Sequence, residues 1–73
     1  MEDNNIRGFL VIKTQDNRYI TKFNSSIVEA NAVEISDALL FPQDLTYNEY
    51  IDTMITLKNN GYSKAEFILI FKE

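Results

Sequence analysis

The stretch that decides the fold is residues 45–62, which read Leu-Thr-Tyr-Asn-Glu-Tyr-Ile-Asp-Thr-Met-Ile-Thr-Leu-Lys-Asn-Asn-Gly-Tyr. Thr46 and Glu49 have the spacing of a capping box, in which each side chain accepts a hydrogen bond from a backbone N–H at the start of a helix. Asn60 and Gly61 can end the helix, because both tolerate a left-handed backbone conformation. The sequence therefore predicts a helix that begins after Thr46 and stops at Asn60-Gly61.

Apolar side chains in this stretch return every three or four residues, which is the period of one helix face. They are Tyr47, Tyr50, Ile51, Met54 and Leu57. The opposite side is polar and consists of Asn48, Glu49, Asp52, Thr53, Thr56 and Asn59. We expect the apolar stripe to be buried against the segments on either side of the helix.

Those segments have the composition of β-strands. Residues 6–13 and 18–23 are rich in β-branched and aromatic residues, and the polar residues 14–17 between them predict a hairpin. Residues 65–71 form a continuous apolar run, which predicts a last strand after the helix.

The middle of the chain has a weaker pattern. A third strand, at a sheet edge, is predicted within residues 32–36, and a short helical turn near residues 26–31 competes with it. Residues 37–41 form an apolar clump that Pro42 closes, and we expect this clump to plug the core. Together these patterns predict one α+β domain over residues 1–73, with a single helix packed on a small sheet and the strand order left open.

Both faces of the predicted sheet are apolar, because apolar residues occupy odd and even positions alike in its strands. One helix can cover only one face. The second face is predicted to be available for self-association through Leu10, Ile12, Ile20, Ile68 and Ile70. Five such side chains represent on the order of 10 kcal/mol of burial, so we expect residues 27–45, a second copy or another partner to cover them.

The composition argues against most catalytic chemistry. The chain has no Cys and no His, and its two glycines do not form a phosphate-binding loop. Glu49 and Asp52 are spaced like a carboxylate pair, but a helix start explains both. We therefore predict no enzyme activity, no metal and no cofactor. The acidic N-terminus and the lack of an apolar run of ~20 residues predict a soluble cytoplasmic protein with no membrane segment.

The net charge of −4 is concentrated in residues 24–57, which contain six acidic and no basic residues. This distribution argues against nucleic-acid binding, which depends on clustered Lys and Arg. It also lowers the chance that Tyr47, Tyr50 and Tyr62 form a base-stacking platform. The charge instead predicts a basic protein partner. The candidate partner-binding residues are Glu29, Glu34, Asp37 and Asp44.

Four segments carry a resemblance to known proteins: residues 19–22 (Tyr-Ile-Thr-Lys), 36–41 (Ser-Asp-Ala-Leu-Leu-Phe), 57–62 (Leu-Lys-Asn-Asn-Gly-Tyr) and 65–67 (Ala-Glu-Phe). Their order resembles that of short uncharacterised phage and prophage proteins of low-GC Gram-positive bacteria, where a hairpin precedes an Asp/Glu-Ala-x-x-Phe segment, one helix and a final strand. The chain departs from that pattern in residues 24–35 and at Pro42. The resemblance implies a setting in the bacterial host cytoplasm, where small phage proteins often bind and block host enzymes, including CRISPR nucleases.

From the sequence we expect a small acidic protein-binding module that inhibits or modulates a host protein, for example as an anti-defence protein such as an anti-CRISPR. The alternative from a different class is a structural homo-oligomer with no foreign target. A nucleic-acid binder is a weaker alternative.

Overall fold

The computed structural model describes residues 6–73, and in this part of the chain it contains one α-helix and two small sheets. The elements follow in the order β1 (Arg7–Lys13), β2 (Lys22–Phe23), β3 (Val28–Glu29), a 3-10 turn (Ile35–Asp37), β4 (Phe41–Pro42), α1 (Tyr47–Asn59) and β5 (Glu66–Lys72). One sheet is antiparallel with the order β4-β1-β5, and the other pairs β2 with β3. This arrangement confirms the predicted α+β class with one helix and a C-terminal strand.

The ends of α1 lie where the sequence predicts them. The Thr46 hydroxyl accepts a hydrogen bond from the Glu49 backbone N–H at 3.2 Å, and the Glu49 carboxylate accepts one from the Thr46 N–H at 2.9 Å. At the other end Gly61 has a φ of +90°, a left-handed conformation that glycine adopts without steric cost. The local capping signals therefore determine both boundaries of the helix.

The face of α1 that enters the core only partly matches the predicted stripe: Met54 and Leu57 pack in the core as predicted, but Tyr47 does not. Leu57 is fully buried, and Thr53, which the sequence pattern assigned to the polar side, is buried as well. Thr53 can be buried because its hydroxyl donates a hydrogen bond to the Glu49 carbonyl, 2.8 Å away. Tyr47, predicted to be buried, is 78% exposed. The helix is thus rotated so that Thr53 and Leu57 face the sheet.

The predicted hairpin of residues 6–13 and 18–23 is correct only near its turn. The Thr14 N–H donates to the Arg18 carbonyl and Asn17 has a φ of 61°. Beyond the turn, a bridge between Lys13 and Tyr19 and the hydrogen bond from the Ile20 N–H to the Ile12 carbonyl join the two segments. The chain then leaves β1, and β2 pairs with β3 instead. The Asn24 side chain makes this second hairpin possible, because its Oδ1 accepts hydrogen bonds from two backbone N–H groups of the loop.

The predictions for residues 26–36 were wrong except at Ala32, which is bridged to Tyr19 inside the range predicted as a strand. Strand β3 occupies the part where a helical turn was considered. The 3-10 turn at Ile35–Asp37 overlaps the end of the range predicted as a strand, residues 32–36. Residues 28–32 are extended because they pair with residues 19–23. The sequence-based prediction had paired residues 19–23 with β1 instead.

The clump of residues 37–41 enters the core as predicted. Ala38 is buried, and the Leu39 N–H donates to the Ile20 carbonyl at 2.9 Å. Leu39 and Phe41 pack against a core cluster that consists of Ile12, Ile20, Val28, Leu57 and Ala65. Phe41 also opens β4, a two-residue strand in which Pro42 lies at the edge of the sheet, where its missing N–H is tolerated.

Candidate interaction surfaces

The six acidic residues of the middle segment all lie on the surface. Glu29 is on β3, Glu34 and Asp37 flank and end the 3-10 turn, and Asp44 precedes α1. The other two, Glu49 and Asp52, are on α1. None of the six side chains is removed from solvent, so all can contribute to the electrostatic field that a partner meets.

The fold brings basic residues next to two of the four candidate partner-binding acids. Lys22 on β2 lies directly across from Glu29 on β3. Arg7 lines the same open cleft as Asp44, at the end of the sheet where β1 begins. Glu34 and Asp37 remain together at the 3-10 turn, and they are the acids of the four on which a basic partner would depend most.

That cleft has a volume of about 680 Å³ and lies between the start of β1 and the segment that follows β4. In this cleft the side chain of Gln43 packs directly against Gly8, where a Cβ atom would require Gln43 to move. Within the described part of the chain, Asp44 is the one carboxylate that lines the cleft and Arg7 is the one cation. Among residues 6–73 there is no group of three or more acidic side chains placed to hold a metal ion.

The outer side of α1 carries an apolar stripe that the core does not use. Tyr47 is 78% exposed, Ile55 is 52% exposed, and Ile51 between them is partly exposed. The three are spaced by four residues and therefore lie in a row along the helix. Sequence reasoning assigned Tyr47 and Ile51 to the core and gave Ile55 no role. The signal it missed is that Ile55 extends their four-residue spacing into a second stripe.

The three tyrosines considered for base stacking do not share one surface. Tyr50 packs on Phe67, with a distance of 5.1 Å between the ring centroids, and Tyr62 packs against the core cluster. Tyr47 is the most exposed of the three and belongs to the stripe described above.

The five residues predicted for self-association do not form one face. In the register of β1 and β5, Leu10 lies opposite Leu69 and Ile12 opposite Phe67, on the side that packs under α1. Ile68 lies opposite Val11 and Ile70 opposite Phe9, so these two isoleucines are on the other side of the sheet. Ile20 is fully buried in the core cluster. The sequence could not show this division, because the direction of side chains along each strand does not fix the register between strands.

Strand β5 forms an edge of the three-stranded sheet, and its outer part is exposed. It pairs with β1 on one side, and no other strand in the described part of the chain pairs with it. Tyr50 covers Phe67 near the start of β5. Further along, Leu69 is 46% exposed and Phe71 is 64% exposed.

Comparisons with known proteins add no identity: the chain matches no protein-family profile, no curated protein and no solved structure. Within residues 6–73, α1 is too short and too polar to cross a bilayer.

Proposed function

We propose that this chain is a small non-enzymatic protein-binding module, and that the outer side of α1 is its main contact surface. The observation that carries the proposal is the row of Tyr47, Ile51 and Ile55, in which Tyr47 and Ile55 are exposed and Ile51 is partly buried. A 13-residue helix needs one apolar face to hold it on its domain, and this helix has a second one. Anchors at intervals of four residues are the pattern by which an amphipathic helix binds the apolar groove of a partner.

The free energy that this surface can contribute to binding depends on the size of its side chains. Burying one large apolar side chain is worth about 1.5–3 kcal/mol, and aromatic residues in fully desolvated pockets dominate many protein interfaces. Tyr47 is the most exposed large apolar residue of residues 6–73, and it lies in the first turn of α1. A groove that accepts Tyr47 and Ile55 would gain more from these two side chains than from the polar residues around them.

The charge of the chain supports a basic partner. Asp52 lies on the exposed side of α1, and Glu34 and Asp37 add negative charge from the 3-10 turn. An acidic protein associates faster with a basic surface, especially at low ionic strength. In the setting that the phage resemblance implies, a suitable partner surface is the nucleic-acid-binding groove of a host enzyme. Such a groove is basic, and a protein bound in it would block the enzyme.

The apolar half of the proposal is tested with matched alanine substitutions. The protein is immobilised, its partner is captured from a host lysate and purified, and binding is measured by titration calorimetry. We expect Tyr47→Ala and Ile55→Ala each to weaken binding about tenfold or more, which corresponds to about 1.4 kcal/mol. Ile27→Ala is the control, because Ile27 is also exposed but lies in the β2–β3 loop. Equal affinities for the Ile55 and Ile27 variants would refute the role of α1.

The electrostatic half is tested separately. Glu34→Lys and Asp37→Lys each replace a negative by a positive charge at the 3-10 turn, and Asp16→Lys makes the same change in the turn after β1. We expect the first two to slow association and to reduce its dependence on ionic strength, whereas Asp16→Lys leaves both nearly unchanged. If all three variants behave alike, net charge alone acts and this site is not part of the contact.

A further inference from the structure

Strand β5 reads nearly the same in both directions. Its residues are Glu66, Phe67, Ile68, Leu69, Ile70, Phe71 and Lys72. Leu69 is the centre, the two isoleucines and the two phenylalanines are placed symmetrically about it, and the two ends carry opposite charges. A strand with this symmetry is complementary to an antiparallel copy of itself.

The two edges of the sheet differ in how they are protected. At one edge, β4 is two residues long and contains Pro42, and both features limit pairing with another chain. At the other edge, β5 is seven residues long and has no proline, glycine or charge between its two ends. In the described part of the chain its outward N–H and C=O groups have no strand beside them. Edges of this kind are templates for strand addition, and natural proteins protect them when no partner uses them.

We propose that β5 is the site of self-association, and that two copies pair their β5 strands antiparallel about Leu69. This register places Leu69 opposite Leu69 of the second copy, and each phenylalanine and isoleucine opposite the symmetric one. Glu66 of each copy then lies opposite Lys72 of the other. The assembly is one six-stranded sheet, and it closes after two copies because each copy has a single such edge.

The charges within one copy support this arrangement. Lys72 lies directly opposite Arg7 of β1, and like charges placed opposite each other in a sheet are destabilising. Glu66 lies opposite Lys13. In the dimer, the second copy's Glu66 comes next to Lys72 on its other side. The charges then alternate more favourably across the sheet, because a negative group separates Lys72 from the second copy's Lys13.

The exposed apolar residues support it as well. Phe71 is 64% exposed and lies beyond the part of β5 that α1 covers. Phe67 and Phe71 share one side of the sheet. In the proposed register, Phe71 lies beside the second copy's Phe67, the residue on which Tyr50 packs. Leu69, 46% exposed, packs against its own symmetric equivalent.

The first experiment is sedimentation equilibrium of the full chain over about a hundredfold range of concentration, since a strand-edge interface is small and its association depends on concentration. We expect a monomer–dimer equilibrium that closes at the dimer. Hydrogen exchange of the backbone amides of β5 should slow as the dimer forms. A monomer at every concentration, or growth beyond the dimer, would overturn the proposal.

Charge variants then locate the interface, and the unfolding midpoint of each is measured alongside because Glu66→Lys places a like charge opposite Lys13 in the same copy. Lys72→Glu improves the pairing with Arg7 inside one copy but places Glu opposite the second copy's Glu66, so we expect a folded monomer. Adding Glu66→Lys restores opposite charges across the interface and should restore the dimer. Lys64→Glu, which makes the same charge change just before β5, is the control and should remain dimeric. A Lys72→Glu variant that dimerises as tightly as the Lys64→Glu variant would show that β5 is not the interface, as would pairing with a different protein in place of a second copy.

Discussion

Single residues determine where α1 begins and ends. Thr46 satisfies a backbone N–H that has no partner within the helix, and Glu49 does the same in the reverse direction. Gly61 makes the left-handed turn that lets the chain leave the helix, and the Tyr62 N–H then donates to the Leu57 carbonyl at 2.8 Å. These contacts depend on neighbours in the sequence, which is why the sequence alone predicted them.

The cap can be tested by one substitution. Thr46→Ala removes the hydroxyl that accepts the Glu49 N–H, and we expect it to lower the free energy of unfolding by about 0.5–2 kcal/mol, measured by urea denaturation. Asn48→Ala is the control, because Asn48 is an exposed residue of the same helix turn and alanine has the higher helix propensity. Equal losses in the two variants would contradict the capping role.

The helix stop makes a second prediction at this scale. Gly61 has a positive φ and no atom near the position of a Cβ, so Gly61→Ala adds backbone strain without a collision. We expect a loss of about 1–2 kcal/mol from the left-handed conformation alone. Ser63→Ala, two residues later at an exposed position, should change the midpoint of thermal unfolding little. A Gly61→Ala variant as stable as the wild type would mean that the turn adopts another conformation.

Elements differ in how far their sequences specify them. The residues of α1, β1 and β5 show clear periodicity or long apolar runs, and all three formed close to their predicted bounds. Residues 18–23 could pair with β1 or with a later segment, and in the structure they contact both. The Ile20 N–H donates to Ile12 of β1, while the Ile20 carbonyl accepts from Leu39. The hydrogen bond to Leu39 joins segments that are distant in sequence, so no local pattern could have predicted it.

The rotation of α1 gives a prediction that separates its two apolar sides. Leu57 is fully buried in the core cluster and Ile55 is 52% exposed, because residues two apart in a helix lie on opposite sides of it. We expect Leu57→Ala to cost about 2–5 kcal/mol, because it leaves a cavity in a small core. Ile55→Ala should cost no more than about 0.5 kcal/mol, as is usual at surface positions. If chemical denaturation gives comparable losses for both, the helix faces the sheet differently from the structure described here.

At the scale of the whole molecule, the acidic and basic residues are segregated along the sequence but are partly mixed on the surface. Lys22 lies opposite Glu29, and Arg7 lines the same cleft as Asp44. Both basic residues come from the part of the chain that precedes the acidic segment. The sequence therefore identified the acidic residues but could not show which of them have a basic residue nearby in the fold. Exposed apolar side chains lie on α1 and on the outer part of β5, and others are at Ile6, Ile27, Val33, Ile35 and Leu40.

A protein of 73 residues has a total stability of only about 4–11 kcal/mol, so association should contribute visibly to it. Because binding to the folded state alone raises apparent stability, we expect the midpoint of thermal unfolding to rise with protein concentration. Lys72→Glu, which is designed to separate the copies, should remove this dependence while leaving the midpoint at low concentration unchanged or higher. Leu57→Ala should do the opposite, lowering the midpoint strongly at every concentration through the core of each copy while leaving the β5 edge in place. Differential scanning calorimetry of the three proteins at several concentrations distinguishes the cases. A wild-type midpoint that is independent of concentration would show that the folded chain is stable without a second copy on β5.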